Sequence, residues 1–229
     1  MDQDTHAVDN QDATLEPPGT IAVIGATPLG LEAALYGRFL GYDVRIVESD
    51  SIANELTERR DQPLPMTPSR CCSPLAWQAI ETHATSGSLA THPTTIAEWI
   101  DNVWVHLSET DLLRGRLVCP AQVGSLELIA AETEDEEEVP PDFRIKLNDS
   151  PEGPEAIDVE AILWATGVHA AQSAAKFSIP CDYFHLIEPS EETGDEETRF
   201  WNGLKRIVKV YASLGGRKDL DLYRPTRGE

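Results

Sequence analysis

The pattern of apolar and polar positions near the N-terminus predicts a buried strand followed by a helix. Residues 20–24 read Thr-Ile-Ala-Val-Ile, and such an apolar run is typical of a strand covered on both faces of a parallel sheet. Gly25 permits a sharp turn into a helix, and a second apolar segment ends at Glu48. The order strand, glycine turn, helix, strand and acid predicts the first βαβ unit of a Rossmann-like fold.

The segment after Glu48 is rich in proline and lacks strand alternation, so we expect it to wrap around the outside. Within it we predict a helix over Ser73–Thr82, because Ser73 can cap its N-terminus and Pro74 suits its first turn. A second helix is predicted over Thr94–Leu107, where apolar residues recur at helical spacing.

Beyond Gly115 the apolar period approaches two, which is typical of strands. Three stretches, Arg116–Val123, Leu126–Ala131 and Phe143–Leu147, predict an antiparallel β-meander over about residues 115–160. The acidic run Glu132–Glu138 is too highly charged for a strand and predicts a solvated hairpin tip.

The remaining segments complete an α/β fold. Ala161–Ala165 is apolar throughout, as expected of a central parallel strand, and Tyr183–Ile187 predicts a further strand. Thr193 and Glu196 can cap a last helix, which Gly215 would end. The predicted fold class is therefore a Rossmann-like parallel sheet with helices on its faces, together with the antiparallel β-meander.

The chain of 229 residues is long enough for one domain. We expect a disordered N-terminal tail over 1–19, a dinucleotide-binding domain over 20–215 and a C-terminal tail over 216–229. The first 19 residues lack the basic and apolar regions of a secretory signal. No apolar run approaches the ~20 residues that cross a bilayer, so we interpret the chain as soluble.

The charge balance argues against two classes of partner. Forty acidic and 18 basic residues give a formal net charge of -22, which would repel the phosphates of nucleic acids and of anionic membranes. We expect neither as a partner. An anionic cofactor would depend on oriented N–H groups and on local cations such as Arg38 or Arg45.

The four cysteines, Cys71, Cys72, Cys119 and Cys181, form no C-x-x-C pair and have no metal-ligand spacing. Reduced thiols in the cytoplasm fit this arrangement best, and we expect no metal. Arg70 could lower the thiol pKa of its neighbours and create a reactive thiolate, although we favour two ordinary small residues before a helix.

The glycine turn is the candidate cofactor site. Against the pattern G-x-G-x-x-G the chain has Gly25, Thr27 and Gly30, so a side chain stands at the middle position, where phosphate would approach the backbone. Pro28 suits the first helical turn, and Gly30 would keep the helix close to the sheet. Glu48, near the expected offset of ~20 residues, can accept hydrogen bonds from a ribose. The alternative is a Rossmann unit that binds nothing.

Three features in this order resemble the flavin-binding domain of the two-dinucleotide-binding flavoproteins, which include thioredoxin-reductase-like enzymes, disulfide reductases and flavin monooxygenases. Residues 25–30 with Glu48 resemble the family's G-x-G-P-x-G turn and its ribose-binding acid. The meander followed by Ala165-Thr166-Gly167 resembles its A-T-G segment beside the flavin. Tyr183–Glu188 and the helix after it resemble its closing strand and helix.

The resemblance implies FAD as the cofactor, with the backbone near Val123 facing adenine and with Thr166 and Gly167 close to the flavin. It also implies that Glu188 or Asp195 lies near the ribityl chain. In the family, however, an Asp follows a Gly directly after the strand, whereas the Gly-Asp pair of this chain comes later. We favour Asp195 as a helix-start residue, which would leave no ribityl contact.

A second departure concerns the length of the chain. Only 15 residues lie between Gly167 and Tyr183, where the reductases of this family insert a nicotinamide-binding domain. With no C-x-x-C relay either, a protein partner would have to supply the redox or nicotinamide domain. We assign no catalytic acid, base or nucleophile; His169 follows Gly167 by two residues and could lie beside a bound cofactor.

The sequence leaves three hypotheses open. The first is a cytoplasmic FAD-binding, or NAD(P)-binding, oxidoreductase-like protein in which Glu48 favours an unphosphorylated ribose. The second is a degenerate dinucleotide fold that serves as a binding or regulatory module. The third is an NAD(P)-binding protein of the short-chain type, which the absence of a Tyr-x-x-x-Lys pair disfavours.

Overall fold

Two β-sheets organise the chain. The computed structural model describes residues 14–83, 92–129, 142–151, 153–167, 170–177, 179, 181–188, 194–217 and 219–224. Five strands form a parallel sheet in the order β3-β2-β1-β7-β8: β1 (Thr20–Ile24), β2 (Asp43–Val47), β3 (Leu117–Val118), β7 (Ala161–Trp164) and β8 (Phe184–Leu186). Three more form an antiparallel sheet: β4 (Gln122–Ile129), β5 (Asp142–Asn148) and β6 (Ala156–Val159). This is the predicted α/β fold class.

The helices lie mainly on one face of the parallel sheet. They are α1 (Pro28–Leu40), α2 (Pro74–His83), α3 (Ile96–Trp99), α4 (His106–Glu109), α5 (Ala170–Ala174) and α6 (Glu196–Leu214). A π-helical stretch, Ile100–Val105, joins α3 to α4, and 3₁₀ turns cover Asn54–Arg59 and Pro68–Arg70. None of the described helices is both long and apolar enough to cross a membrane.

Two apolar cores cover the faces of the parallel sheet. Ile21 and Val23 point to one core, which α1, α2, α6 and the α3–α4 segment complete. Ala22 and Ile24 point to the other, where Phe143 and Ile145 of the antiparallel sheet cover them. Because both faces of β1 are buried, its continuous apolar run is explained.

The described elements confirm most of the predicted ones. The helices predicted from Ser73 and from Thr94 are present, and the Ser73 hydroxyl accepts a hydrogen bond from the Ala76 N–H at 3.0 Å. Leu117–Val118 differs from the prediction, because it pairs in parallel with β2 and not with the meander. The predicted acidic hairpin tip lies outside the described residues.

The start of α6 also differs from the prediction. Asp195 is the N-cap residue, and its Oδ1 accepts a hydrogen bond from the Thr198 N–H at 2.7 Å. Thr193, the predicted cap, lies outside the described residues. Asp195 is thus the helix-start residue that we favoured over a cofactor ligand.

The described parts of both predicted tails pack against the domain. Leu15 is buried, and its N–H donates to the carbonyl of Leu214 at 2.7 Å. Tyr223 is buried against α1 at the other end of the chain. These residues therefore belong to the packed body, although the predicted domain boundaries at 20 and 215 exclude them.

Candidate functional site

The carboxyl ends of β1, β2 and β7 meet at one edge of the parallel sheet. β1 pairs with β2 on one side and with β7 on the other, so this edge is the topological switch point where ligands of such sheets bind. Gly25 directly follows β1 with a φ of 106°, a left-handed conformation that a side chain disfavours. Its N–H donates to the Val47 carbonyl at 2.8 Å, which fixes the turn against β2.

Thr27 caps helix α1. Its Oγ1 accepts a hydrogen bond from the Gly30 N–H at 3.1 Å and donates to the Ala165 carbonyl at 2.8 Å. The side chain that replaces the middle glycine of the pattern therefore binds the helix start to β7. Within the described part of the chain, the N–H groups of Thr27 and Leu29 have no hydrogen-bond partner. These two donors remain for a ligand.

Glu48 holds the glycine turn from the end of β2. Its Oε2 accepts from the Ala26 N–H at 2.7 Å, and its Oε1 accepts from the Asp50 N–H at 3.0 Å and from the Ser49 hydroxyl at 3.2 Å. The residue is 8% exposed. Since a carboxylate offers about four acceptor positions, Oε2 retains one for a ligand hydroxyl.

A cleft of about 330 Å³ opens beside Glu48, and we call it the sheet cleft. Its walls include Gly25, Thr27, Glu48, Val123, Trp164 and Thr166. Among the described residues that line it, none is a lysine or an arginine. The described lining of the sheet cleft therefore combines an apolar wall with the carboxylates of Glu48 and Glu55 and includes no basic side chain.

A second cleft of about 300 Å³ lies on the other side of the helix start, and we call it the apolar cleft. Its apolar walls include Pro28, Leu29, Leu56, Met66, Trp99 and Phe200. Thr27 and Glu55 line both clefts. The clefts therefore adjoin at these two residues, next to the unbonded N–H groups of the turn.

The structure brings together most of the residues that the sequence singles out. Gly25, Thr27, Glu48, Val123 and Thr166 line the sheet cleft. Pro28 and Gly167 line the apolar cleft, with Thr27 common to both.

Gly30 has a packing role at this site. A Cβ atom at this position would collide with the carbonyl oxygen of Gly25, so the glycine lets the first turn of α1 close over the loop. It lines neither cleft.

Several other candidates lie elsewhere. The Glu188 carboxylate accepts from the Ala171 N–H at 2.7 Å, which joins β8 to α5. Arg38 donates to the carbonyls of Tyr42 and Leu112 beyond the far end of α1, and Arg45 lines a separate cleft at Asp43. The cations expected to serve a cofactor are thus not at the glycine turn, and His169 lies outside the described residues.

Three charged residues at the clefts were missed by the sequence analysis: Glu55, Arg59 and Arg199. Arg59 pairs with Glu196 at 2.8 Å. The Nε atom of Arg199 is buried without a hydrogen-bond partner among the described residues. No local signal joins them, because Arg199 comes from α6, far along the chain from the 3₁₀ turn that carries the other two.

Glu55 lies where the two clefts adjoin and is exposed at their mouth. Desolvation by the surrounding protein, with a smaller contribution from the charge of Glu48, raises the pKa of Glu55 to about 7. No described residue forms an ion pair with it. A carboxyl group with a raised pKa therefore borders both clefts.

The adjacent cysteines are structural. Cys71 and Cys72 are buried, and burial raises the pKa of the Cys72 thiol well above its ordinary value. The reactive thiolate considered beside Arg70 is therefore wrong for Cys72. Among the described residues, no cluster of three or more His, Cys, Asp or Glu side chains could hold a metal ion.

Comparison with known proteins gives partial structural likenesses only. No model of a protein family matches the chain, and no curated protein matches it. Bacillithiol disulfide reductase Bdr (YpdA) from Bacillus cereus is 16% identical with a TM-score of 0.45, over 65% of this chain and 40% of that one. A flavin-containing monooxygenase from Stenotrophomonas maltophilia is 17% identical with a TM-score of 0.41, over 65% and 38%.

A third solved structure, OTEMO in complex with FAD and NADP, is 15% identical with a TM-score of 0.43, over 67% of this chain and 26% of that one. This chain thus spans less than half the length of each of the three. FAD and NADP are ligands of that complex, and at these values the likenesses assign no family to this chain.

Proposed function

We propose that this chain binds an adenine dinucleotide at the glycine turn, with FAD as the first candidate and NAD as the alternative. The observation that carries the proposal is the pair of adjoining clefts at the switch point of the parallel sheet, bordered by the N–H groups of Thr27 and Leu29, which have no hydrogen-bond partner among the described residues. A ligand that has two ring systems joined by a diphosphate matches two clefts joined at a helix start.

The sheet cleft suits the adenosine half. Glu48 keeps one acceptor position on Oε2 for a ribose hydroxyl, and a carboxylate there disfavours a 2′-phosphate. Val123 and Trp164 offer an apolar wall for adenine. The N–H groups of Thr27 and Leu29 are the donors for the diphosphate.

The apolar cleft suits the second ring system. Pro28 and Phe200 supply apolar surface and Gly167 contributes backbone, while Arg199 supplies a cation without an ion-pair partner among the described residues. A bound flavin would supply electron-transfer chemistry, and the protein would position the ring and limit its access to water.

We do not assign to this chain the nicotinamide-binding or redox groups that would complete an electron-transfer reaction. We propose an oxidoreductase-like role in the cytoplasm in which a protein partner supplies the nicotinamide-binding or redox domain. The short connection between Gly167 and the strand β8 supports this, because it leaves no room there for an inserted domain.

A second candidate function is a binding or regulatory module that has lost the cofactor. The observation in its favour is that the site satisfies part of its own hydrogen-bonding capacity. The Thr27 hydroxyl accepts a hydrogen bond from the Gly30 N–H, and the Glu48 carboxylate accepts one from the Ala26 N–H. Two donors of the turn are therefore closed to phosphate.

The test combines the absorption spectrum of the purified protein with titrations of FAD and NAD followed by calorimetry. The blocking variant is Asn54→Trp, because Asn54 is exposed and lines the sheet cleft. The matched control is Glu58→Trp, an exposed position in the same 3₁₀ turn that lines neither cleft.

We expect a flavin spectrum or saturable binding of FAD, which Asn54→Trp weakens by at least about tenfold and Glu58→Trp leaves unchanged. Saturable binding of NAD alone would favour the alternative cofactor. No binding of either compound by the folded protein would reject the cofactor role and favour the module. Equal binding by both variants would place the ligand outside the sheet cleft.

A further inference from the structure

Glu55 stands where a diphosphate would have to pass. It is the second residue of the 3₁₀ turn Asn54–Arg59, and with Thr27 it borders both clefts. The turn is held against the glycine loop, because the Ala53 N–H donates to the Ala26 carbonyl at 2.9 Å. A ligand that extends from one cleft into the other therefore passes beside Thr27 and Glu55, the two residues that border both clefts.

The charges around this point do not neutralise Glu55. Glu48 at the end of β2 has the same sign and lines the sheet cleft with it. Arg59, in the same turn, is paired with Glu196 of α6 and also donates to Gln62. Arg199 of α6 lines the apolar cleft and is the cation there without an ion pair among the described residues.

We propose that Glu55 controls the binding of anionic ligands at this site: its ionised form repels a diphosphate that joins the two clefts, so such a ligand binds together with a proton. This inference rests on the proposed function and adds a regulatory residue to it. It also predicts selectivity, since a neutral ligand in the sheet cleft carries no charge for the Glu55 carboxylate to repel.

The chemistry of the site gives the direction of the effect. Two like charges a few ångströms apart repel each other, and partial exposure to water reduces the repulsion without removing it. A diphosphate diester keeps its charge across the neutral range, so the titrating partner is Glu55. Affinity for the diphosphate therefore falls as the pH rises through the neutral range.

The experiment measures the affinity of ADP-ribose and of adenosine from about pH 6 to about pH 8 by calorimetry. The variants are Glu55→Gln, which removes the charge at nearly constant shape, and Glu58→Gln, an exposed acid in the same turn that lines neither cleft. ADP-ribose carries the diphosphate without a flavin, and adenosine is the neutral probe of the sheet cleft.

In the natural protein we expect the affinity for ADP-ribose to fall by up to about tenfold over this range. Glu55→Gln should abolish this dependence and bind ADP-ribose about tenfold more tightly at the upper pH, whereas Glu58→Gln should behave like the natural protein. The affinity for adenosine should be the same in all three. Binding of ADP-ribose by Glu55→Gln alone would support the inference equally.

Two results would overturn the inference. If the natural protein binds ADP-ribose without pH dependence and Glu55→Gln has the same affinity, the role of Glu55 is wrong while the proposed dinucleotide site stands. If neither the natural protein nor Glu55→Gln binds ADP-ribose, both the inference and the proposed function fail.

Discussion

Two acidic residues enclosed by the protein near helix α1 have opposite surroundings. Glu48 is at the glycine turn, where two backbone N–H groups and one hydroxyl donate to its carboxylate. Glu32 lies within α1 and is fully buried; its Oε1 accepts from the Ser73 N–H at 2.7 Å, and its Oε2 has no partner among the described residues.

The burial of Glu32 and its small number of hydrogen bonds affect its pKa. Burial raises its pKa to about 7, against smaller opposing contributions from hydrogen bonds with Ser73 and Tyr223. Loss of water therefore raises the pKa of this carboxyl group more than its hydrogen bonds lower it. A carboxylate that accepts several hydrogen bonds can instead hold a loop in place, as Glu48 does at the glycine turn.

The largest effect is expected from Glu48→Ala. The substitution leaves the Ala26 N–H unsatisfied inside the turn and removes the bond to the Asp50 N–H. Hydrogen bonds to charged groups contribute about 1.5–3 kcal/mol each, so we expect a loss of about 4 kcal/mol in the free energy of unfolding at neutral pH, measured by urea denaturation. A loss below about 1 kcal/mol would show that Glu48 does not anchor the turn.

Glu32→Gln should have the opposite sign and depend on pH. The pKa of Glu32 is raised in the folded state, so ionisation costs stability as the pH rises from the unfolded pKa of 4.5 towards the folded value of about 7, and the cost persists above it. The glutamine variant avoids this cost. At about pH 8 we expect it to be more stable than the natural protein by up to about 3 kcal/mol.

The control for this second prediction is the same pair of proteins at about pH 5, where Glu32 is largely protonated in the folded state. Most of the stability difference should disappear there. A difference of equal size at both pH values, measured by urea denaturation, would mean that the effect of the substitution does not come from ionisation.

The smallest effect is expected from Thr27→Val, which keeps the shape of the side chain and removes its Oγ1. The variant loses the cap on the Gly30 N–H and the bond to the Ala165 carbonyl. Loss of a helix cap costs about 1 kcal/mol, so the melting temperature should fall by a few degrees. Thr27→Ser keeps both bonds and should restore most of the loss; a serine variant as unstable as valine would argue against capping.

The sequence predicts the framework of the site because its signals are local. The apolar run of β1, the glycine turn and the position of Glu48 lie within about one βαβ unit. Thr27 followed by Pro28 also carries a local signal, since threonine before a proline at the first helical position is typical of an N-cap. The glycine pattern alone treats Thr27 as a substitution and does not predict its role as the N-cap.

The rest of the site depends on contacts between distant segments. Glu55 and Arg199 both line the apolar cleft although α6 lies far along the chain from the 3₁₀ turn. The strand β3 has only two residues, which is too short for a periodic pattern. It forms by parallel backbone pairing with β2, and this pairing leaves no signal in the local sequence. The sequence also does not specify that Glu48 bonds to the loop beside it, because a carboxylate accepts hydrogen bonds from the protein and from a ligand alike.

The packing of Tyr223 has a consequence for any shortened form of this protein. Its hydroxyl lies 3.4 Å from the carbonyl of Glu32, and its ring packs against that of Tyr36 in a tilted arrangement, with ring centroids 5.0 Å apart. Truncation of the chain after residue 215 would remove Tyr223 from α1 and expose Glu32 to solvent. The trimmed protein would lose aromatic packing but would also hydrate Glu32, so its stability would vary less with alkalinity than that of the intact chain.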